Sequence, residues 1–194
     1  MPDRMPDIWL VRHGQTEWSE SGQHTGTTDI PLTDTGRRQA AALCRVLDRQ
    51  PFDLVLTSPM TRARETARLA GFADAEVDES LMEWNYGEYE GLTTKQIQET
   101  RPGWTIWNGT PPGGESAEEV EARARRVLDR VSGVDGRVLL FGHGHFSRVV
   151  TAVALGFHAP DGARFALHPA TVSVIGHEHD YRSLHRWNEA PPAL

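Results

Sequence analysis

Asp7-Ile8-Trp9-Leu10-Val11-Arg12-His13-Gly14 is the stretch whose reading decides the fold. A short apolar run that ends at once in a guanidinium, an imidazole and a glycine predicts a buried strand stopping at the rim of a sheet. Two later segments repeat the pattern: residues 53–57 (DLVLT) run into Ser58-Pro59, and residues 137–141 (RVLLF) run into Gly142-His143-Gly144. Between them the apolar spacing turns helical. Residues 33–50 read as one helix, with Ala40, Leu43, Cys44 and Leu47 on its stripe. Ser58-Pro59 reads as a helix start, with a cap oxygen and a proline at the first position, and that helix runs to about residue 70 with Ala63, Ala67 and Ala70 inward. Ser116 and Glu119 form a capping box for a helix whose apolar face is Val120, Ala124, Val127, Leu128 and Val131. Residues 146–155 read as helix, 75–77 as a short strand, and 170–176 with 181–187 as a closing antiparallel pair, after which the tail APPAL frays.

Strands alternating with amphipathic helices predict an α/β protein, a three-layer α/β/α sandwich with a mostly parallel central sheet. The 194 residues suit a single domain over 1–194. In such sheets ligands sit beyond the carboxyl ends of the strands. His13, Ser58 and His143 each follow a predicted strand, so three separate segments share one rim.

Composition narrows the function. The net charge of −7 gives no basic excess for nucleic acid to exploit. No apolar run approaches a membrane span, and the start MPDRMPD has no apolar stretch for a secretory leader, so a cytoplasmic location is the expectation. Cys44 is the only cysteine, which excludes an intramolecular disulfide and a cysteine-rich zinc site; it reads as buried filling. His177 and His179 would share a strand face, but no carboxylate pattern nearby promotes them to a metal site.

The rim residues point to anion chemistry. His13 offers a nitrogen that is neutral and nucleophilic near neutral pH. Arg12 stays charged and forks onto phosphate oxygens, and Gly14 lets the backbone approach closely. Taken alone, Arg-His-Gly fits a core histidine held by a carbonyl at least as well. Arg62 stands in the first turn of its helix, where free amides and the dipole already attract anions. Arg64 and Arg68 read as a solvated face. His143, between two glycines at a strand end, is placed for a second phosphate contact. His145 reads as a structural or rim residue, and His24, in the long polar loop ending at Leu32, more as an ordinary loop residue than as one that borders the pocket. Glu83 lies between Met82 and Trp84, and a carboxyl among apolar neighbours that keeps its proton suits a general acid. Glu88 and Glu90 compete for that role. Trp104 and Trp107, three apart, read equally as a wall on the substrate side or as core.

Together these residues resemble the histidine phosphatase superfamily, in its phosphoglycerate mutase-like branch. Val11-Arg12-His13-Gly14-Gln15-Thr16-Glu17-Trp18 resembles the signature around the phosphorylated histidine. Pro31-Leu32-Thr33 with Gly36, Thr57-Ser58-Pro59 with Arg62-Ala63 and Thr66, Glu83 with Tyr86-Gly87 and Glu90-Gly91, and Gly142-His143-Gly144 resemble the motifs that follow. The resemblance implies that His13 accepts the phosphoryl group, that Arg12, Arg62 and a protonated His143 bind it, that Glu83 donates the proton, and that no metal or other cofactor takes part. It further implies that the two imidazoles meet face to face around one oxyanion. Gly144, where the acid phosphatase and phytase branch carries an acidic residue, favours Glu83 as the acid and places Gly144 against the substrate. Ser19 in place of the mutases' asparagine, Gly144-His145-Phe146 in place of their Gly-Asn-Ser, and a missing central insertion favour hydrolysis over phosphoglycerate mutase activity. The loop after Trp18 is similar to that of sugar-bisphosphatases, which implies phosphate contacts from Ser19, Thr25 and Gly26. The expectation is a phosphatase for small phosphomonoesters, with a bisphosphoglycerate-dependent mutase and a silent phospho-ligand-binding module as the alternatives. The partner is a small phosphoester; a homodimer stays open.

Overall fold

The computed structural model describes residues 6–192. The opening MPDRM, read above for a leader, and the last two residues of the APPAL tail lie outside them. The chain runs β1 (Asp7–Arg12), α1 (Glu17–Ser21), α2 (Asp34–Ala42), α3 (Cys44–Leu47), β2 (Leu54–Thr57), α4 (Thr61–Leu69), β3 (Glu76–Val77), α5 (Thr94–Thr100), α6 (Ala117–Val131), β4 (Arg137–Gly142), α7 (Gly144–Ala154), β5 (Val172–Glu178) and β6 (Tyr181–Glu189). The strands form one six-stranded sheet in the order β3-β2-β4-β1-β5-β6. β3, β2, β4 and β1 pair in parallel, and β5 and β6 close the sheet antiparallel.

Side chains alternate across a strand, so one short sequence feeds two cores. Ile8 and Leu10 of β1 join Val138 and Leu140 of β4 and the apolar faces of α6 and α7. Trp9 and Val11 turn the other way, to Leu139, Phe141, Leu43, Leu47, Ala67 and Ala70 beneath α2, α3 and α4. That is the three-layer sandwich. Each fully buried aliphatic side chain contributes about 1.5–3 kcal/mol relative to an exposed one, so both faces of β1 are fixed and its exit at Arg12 and His13 cannot slip register without exchanging the cores.

Several local expectations shift. The helix expected over residues 33–50 tightens at Leu43, whose N–H bonds back to the Ala40 carbonyl at 3.2 Å, and resumes as α3. The break turns Cys44 partly outward while Leu43 and Leu47 stay buried. Ser58 does not cap α4: the helix begins at Thr61 after an uncapped Met60. Its first free amide, Thr61 N–H, is instead taken by Asp29 at 3.0 Å, from a loop distant in sequence. The polar loop before Leu32 contains α1, held by a capping box in which Thr16 and Ser19 exchange hydrogen bonds. α7 starts at Gly144, earlier than the apolar spacing implied. His179 sits at φ 55° beyond the end of β5, so it shares no strand face with His177. Arg64 and Arg68 are exposed, as read.

Candidate active site

Sheet order assembles the site. β1 lies beside β4 in parallel, with Arg12 opposite Gly142, so His13 and His143 leave neighbouring strand ends together. β2 flanks the other side of β4, with Thr57 opposite Phe141, which brings Ser58 alongside. The His13 N–H donates to the Gly142 carbonyl at 3.0 Å. The two imidazole rings stand 5.2 Å apart between centroids at 64°. They converge as expected but edge to face, since their strands are rungs of a twisted ladder rather than opposed walls. Gly14 is obligatory here: a Cβ would lie 2.4 Å from the Gly36 carbonyl oxygen, where the first turn of α2 crosses the chain.

The hydrogen bonds assign the tautomers. His13 Nδ1 lies 2.7 Å from the Gly14 carbonyl oxygen. A carbonyl only accepts, so Nδ1 carries the proton and Nε2 keeps its lone pair. Burial, and then the charges of Arg62 and Arg12, push the pKa of His13 well below the usual histidine value. Arg62 Nε donates to His143 Nδ1 at 3.2 Å, and guanidinium cannot accept. His143 Nδ1 is therefore bare, and its Nε2–H donates to Ser58 Oγ at 2.7 Å. Burial, then Arg62, holds the His143 pKa well below the ordinary value too. The protonated His143 implied by the resemblance is thus corrected: the fully buried arginine pointing at its ring nitrogen leaves no place for a second proton.

Arg62 is completely buried. It spends Nη1 on the Thr28 carbonyl at 3.0 Å and Nη2 on those of Thr25 and Gly26 at 3.2 and 2.9 Å. It therefore sets the polar loop as well as the charge of the site. Arg12 is arranged differently. Its Nη1 donates to the Leu167 carbonyl, while its buried Nε has no hydrogen-bond partner. Gly144 allows this placement, because a Cβ there would sit 3.3 Å from the guanidinium carbon. A buried, charged donor left unpartnered on a residue that lines the same cavity as His13 suits a site that takes an oxyanion.

Glu83 is buried, but its carboxylate does not meet the apolar surround expected from Met82 and Trp84. Oε1 accepts from the N–H groups of Trp84 at 2.9 Å and Phe146 at 2.7 Å, and Oε2 from that of His145 at 2.9 Å. It sits at the N-terminus of α7, whose first-turn amides fix its orientation.

These groups open on a cavity of about 310 Å³ lined by Arg12, His13, Ser19, Thr25, Glu83 and Gly144 among the expected residues. Arg62, His143 and Gly26 lie behind that surface. Gly26 acts through its backbone, its N–H on Glu90 Oε1 at 2.7 Å, which gives Glu90 a loop-holding role. The Ser19 hydroxyl donates to the Thr16 carbonyl at 2.9 Å, so Ser19 borders the cavity while serving α1. Trp107 lines the cavity and stacks under Arg148 at 4.4 Å; Trp104 is core, its Nε1 on the Gly109 carbonyl. His24 borders the cavity, the less favoured of its two readings, and burial lowers its pKa to about 4. Sequence reasoning missed Trp18, Tyr86, Thr94, Thr105 and Arg148, and it undervalued His145, whose Nδ1 lies 2.5 Å from the Tyr86 hydroxyl. Trp18 and Tyr86 stood inside the motifs quoted above without being given a role, and Arg148 lies one helical turn beyond Gly144; Thr94 and Thr105 carried no signal.

Comparison with known proteins agrees with this geometry. The family model described as histidine phosphatase superfamily (branch 1) matches residues 8–190. An acid phosphatase of Mycobacterium tuberculosis is 44% identical, with 91% of this chain and 89% of the relative covered. Sedoheptulose 1,7-bisphosphatase of Saccharomyces cerevisiae is 35% identical, over 80% of this chain and 70% of the relative. A solved structure of an open reading frame of M. tuberculosis superposes with a TM-score of 0.90 at 40% identity, covering 96% of this chain and 99% of that one.

Proposed function

The chain belongs to the histidine phosphatase superfamily, and on that premise we propose that it hydrolyses small phosphomonoesters, sugar phosphates among them, through a phosphohistidine at His13. It is a phosphoric monoester hydrolase, as are the relatives named acid phosphatase and sedoheptulose 1,7-bisphosphatase. The observation that carries the assignment of His13 is its fixed tautomer: Nδ1–H on the Gly14 carbonyl leaves Nε2 as the free nucleophile, and Arg12, whose buried Nε is unpartnered, lines the same cavity.

The groups then divide the work. Nε2 of His13 attacks phosphorus in line and forms the P–N bond as the ester P–O bond breaks. The leaving oxygen takes a proton from Glu83. Water then attacks the phosphohistidine, gives its proton to Glu83, and the P–N bond breaks to release phosphate. Little covalent help is needed beyond placement and charge: Arg12 supplies a donor to the equatorial oxygens, while Arg62 supplies charge from behind and fixes the tautomer of His143, whose Nε2–H is held by Ser58 Oγ. The neutral rings of His24 and Trp107, with the hydroxyls of Thr94 and Thr105, suit a polyhydroxyl leaving group. Among the described residues no helix is long and apolar enough to cross a membrane. The reading carries a cytoplasmic setting, and every group it uses comes from one polypeptide, so a second copy is not required.

The test is phosphate release from a panel of phosphoesters by wild type and His13→Ala in parallel. Release from several sugar phosphates, abolished in the variant, is the expected result. Rapid interconversion of 3- and 2-phosphoglycerate with negligible release would replace hydrolysis by mutase chemistry.

A further inference from the structure

Arg123, on α6, lies outside the cavity, yet it reaches the segment that carries Glu83. It is buried. Its Nη1 donates to the carbonyls of Ser80 and Met82, and its Nη2 to that of Glu83 at 3.2 Å. The other face of the guanidinium pairs with Glu115, Nε at 3.0 Å and Nη2 at 2.7 Å. Glu115 in turn accepts the Asn85 N–H at 2.9 Å and, through its carbonyl, the Trp84 indole N–H at 2.9 Å. The guanidinium also lies 4.2 Å over the ring of Phe146, whose backbone N–H holds Glu83 Oε1. One side chain therefore grips the backbone of Glu83 and the helix turn whose amide orients its carboxylate.

We propose that Arg123 is a positioning residue that sets the protonated Glu83 carboxyl group for proton transfer to the leaving oxygen. Residues 82–86 belong to no strand or helix, so no ladder fixes them; the Arg123–Glu115 clamp does that work. Misplacement of a reacting group by a fraction of its hydrogen-bond reach is costly. The proposal rests on the reading of Glu83 as the proton donor.

A structural ion pair and a positioning residue differ in leaving-group dependence. A 4-nitrophenolate leaves with little need of a proton, and an alkoxide needs one. The experiment measures kcat/KM, which reports the phosphorylation half-reaction, for 4-nitrophenyl phosphate and glycerol 2-phosphate. It uses wild type, Arg123→Met, Arg123→Lys, Glu83→Gln and the Arg123→Met/Glu83→Gln pair. Arg123→Met is expected to lose about 30-fold or more on the alkyl ester and less than about 3-fold on the aryl ester, a part of the ~10²–10⁴-fold that general acid catalysis supplies. In the Glu83→Gln background it should add almost nothing, because the two act as one unit. Arg123→Lys keeps the charge and loses the fork, so it should show the same selectivity at smaller size; it decides the question if the methionine variant does not fold. Equal losses on both esters, or full additivity with Glu83→Gln, would overturn the proposal. Glu83→Gln without alkyl selectivity would instead remove Glu83 as the acid, and the clamp's role with it.

Discussion

The floor of the cavity and its outer wall are built in opposite ways. The floor is Arg12, His13, Ser58, Arg62 and His143, delivered by the ends of β1, β2 and β4 and the first turn of α4. Apart from the half-buried Arg12 it is buried, and Arg12 Nε is a buried donor in it without a partner. The wall is Trp18, His24, Thr94, Thr105, Trp107, His145 and Arg148, drawn from loops and helix ends and mostly only partly buried. Strand ends locked by two cores give a fixed electrostatic template, which phosphoryl transfer requires. Loops give a surface that can change without disturbing it. Chemistry and selectivity are therefore separable in this molecule.

The hardest blow to that separation is Arg62→Ala. It removes charge from the floor and three carbonyl anchors from the loop at Thr25, Gly26 and Thr28, so the floor and part of the wall fall together. A loss of about 10²–10³ in kcat is expected, comparable to removing an oxyanion donor, with KM rising as well. Steady-state kinetics on 4-nitrophenyl phosphate checks it; an effect confined to KM would show that the arginine serves binding alone.

Trp107→Ala probes the wall by itself. Its ring underlies Arg148 at 4.4 Å and meets His145 at 5.1 Å. A fall of about 10-fold in kcat/KM for a sugar phosphate is expected, the scale of one hydrophobic pocket contact, while competitive inhibition by inorganic phosphate stays within about 2-fold. Equal weakening of phosphate would mean that the two regions are not independent.

The smallest effect is on stability. Burial depresses the pKa of His13, His24, His143 and His145. The unfolded chain binds protons near pH ~6.5 that the folded chain refuses. The stability these groups contribute is therefore whole above that pH and is lost as pH falls, for His24 across the interval down to about 4. Thermal midpoints of wild type and His24→Gln at pH 7.5, 6, 5 and 4 should diverge as the pH drops, with wild type losing more. Parallel profiles would contradict a neutral, buried His24.

The same division explains what the sequence made legible. The floor was readable because its residues follow apolar runs short enough to be strands, and strand ends in a parallel sheet must share a rim. The protonation of His143 was not readable, because it depends on which way Arg62 Nε points across the fold. The surround of Glu83 was misjudged for a similar reason: Met82 and Trp84 are its neighbours in sequence, but the amides of α7 are its neighbours in space. The wall was least legible. His145 and Tyr86 are 59 positions apart and meet only because α7 and the 82–86 segment are packed together. Asp29 capping α4 in place of Ser58 is the same lesson at a helix start: the local signal was present, and a distant carboxylate took the amide while Ser58 went to His143.

The most direct measurement is acid-free quenching during turnover of a phosphoester, followed by peptide mapping of the covalent phosphate. Phosphate on the peptide containing His13, stable to base and labile to acid, is the predicted result. Turnover with no label there, or with label on another residue, would contradict the account.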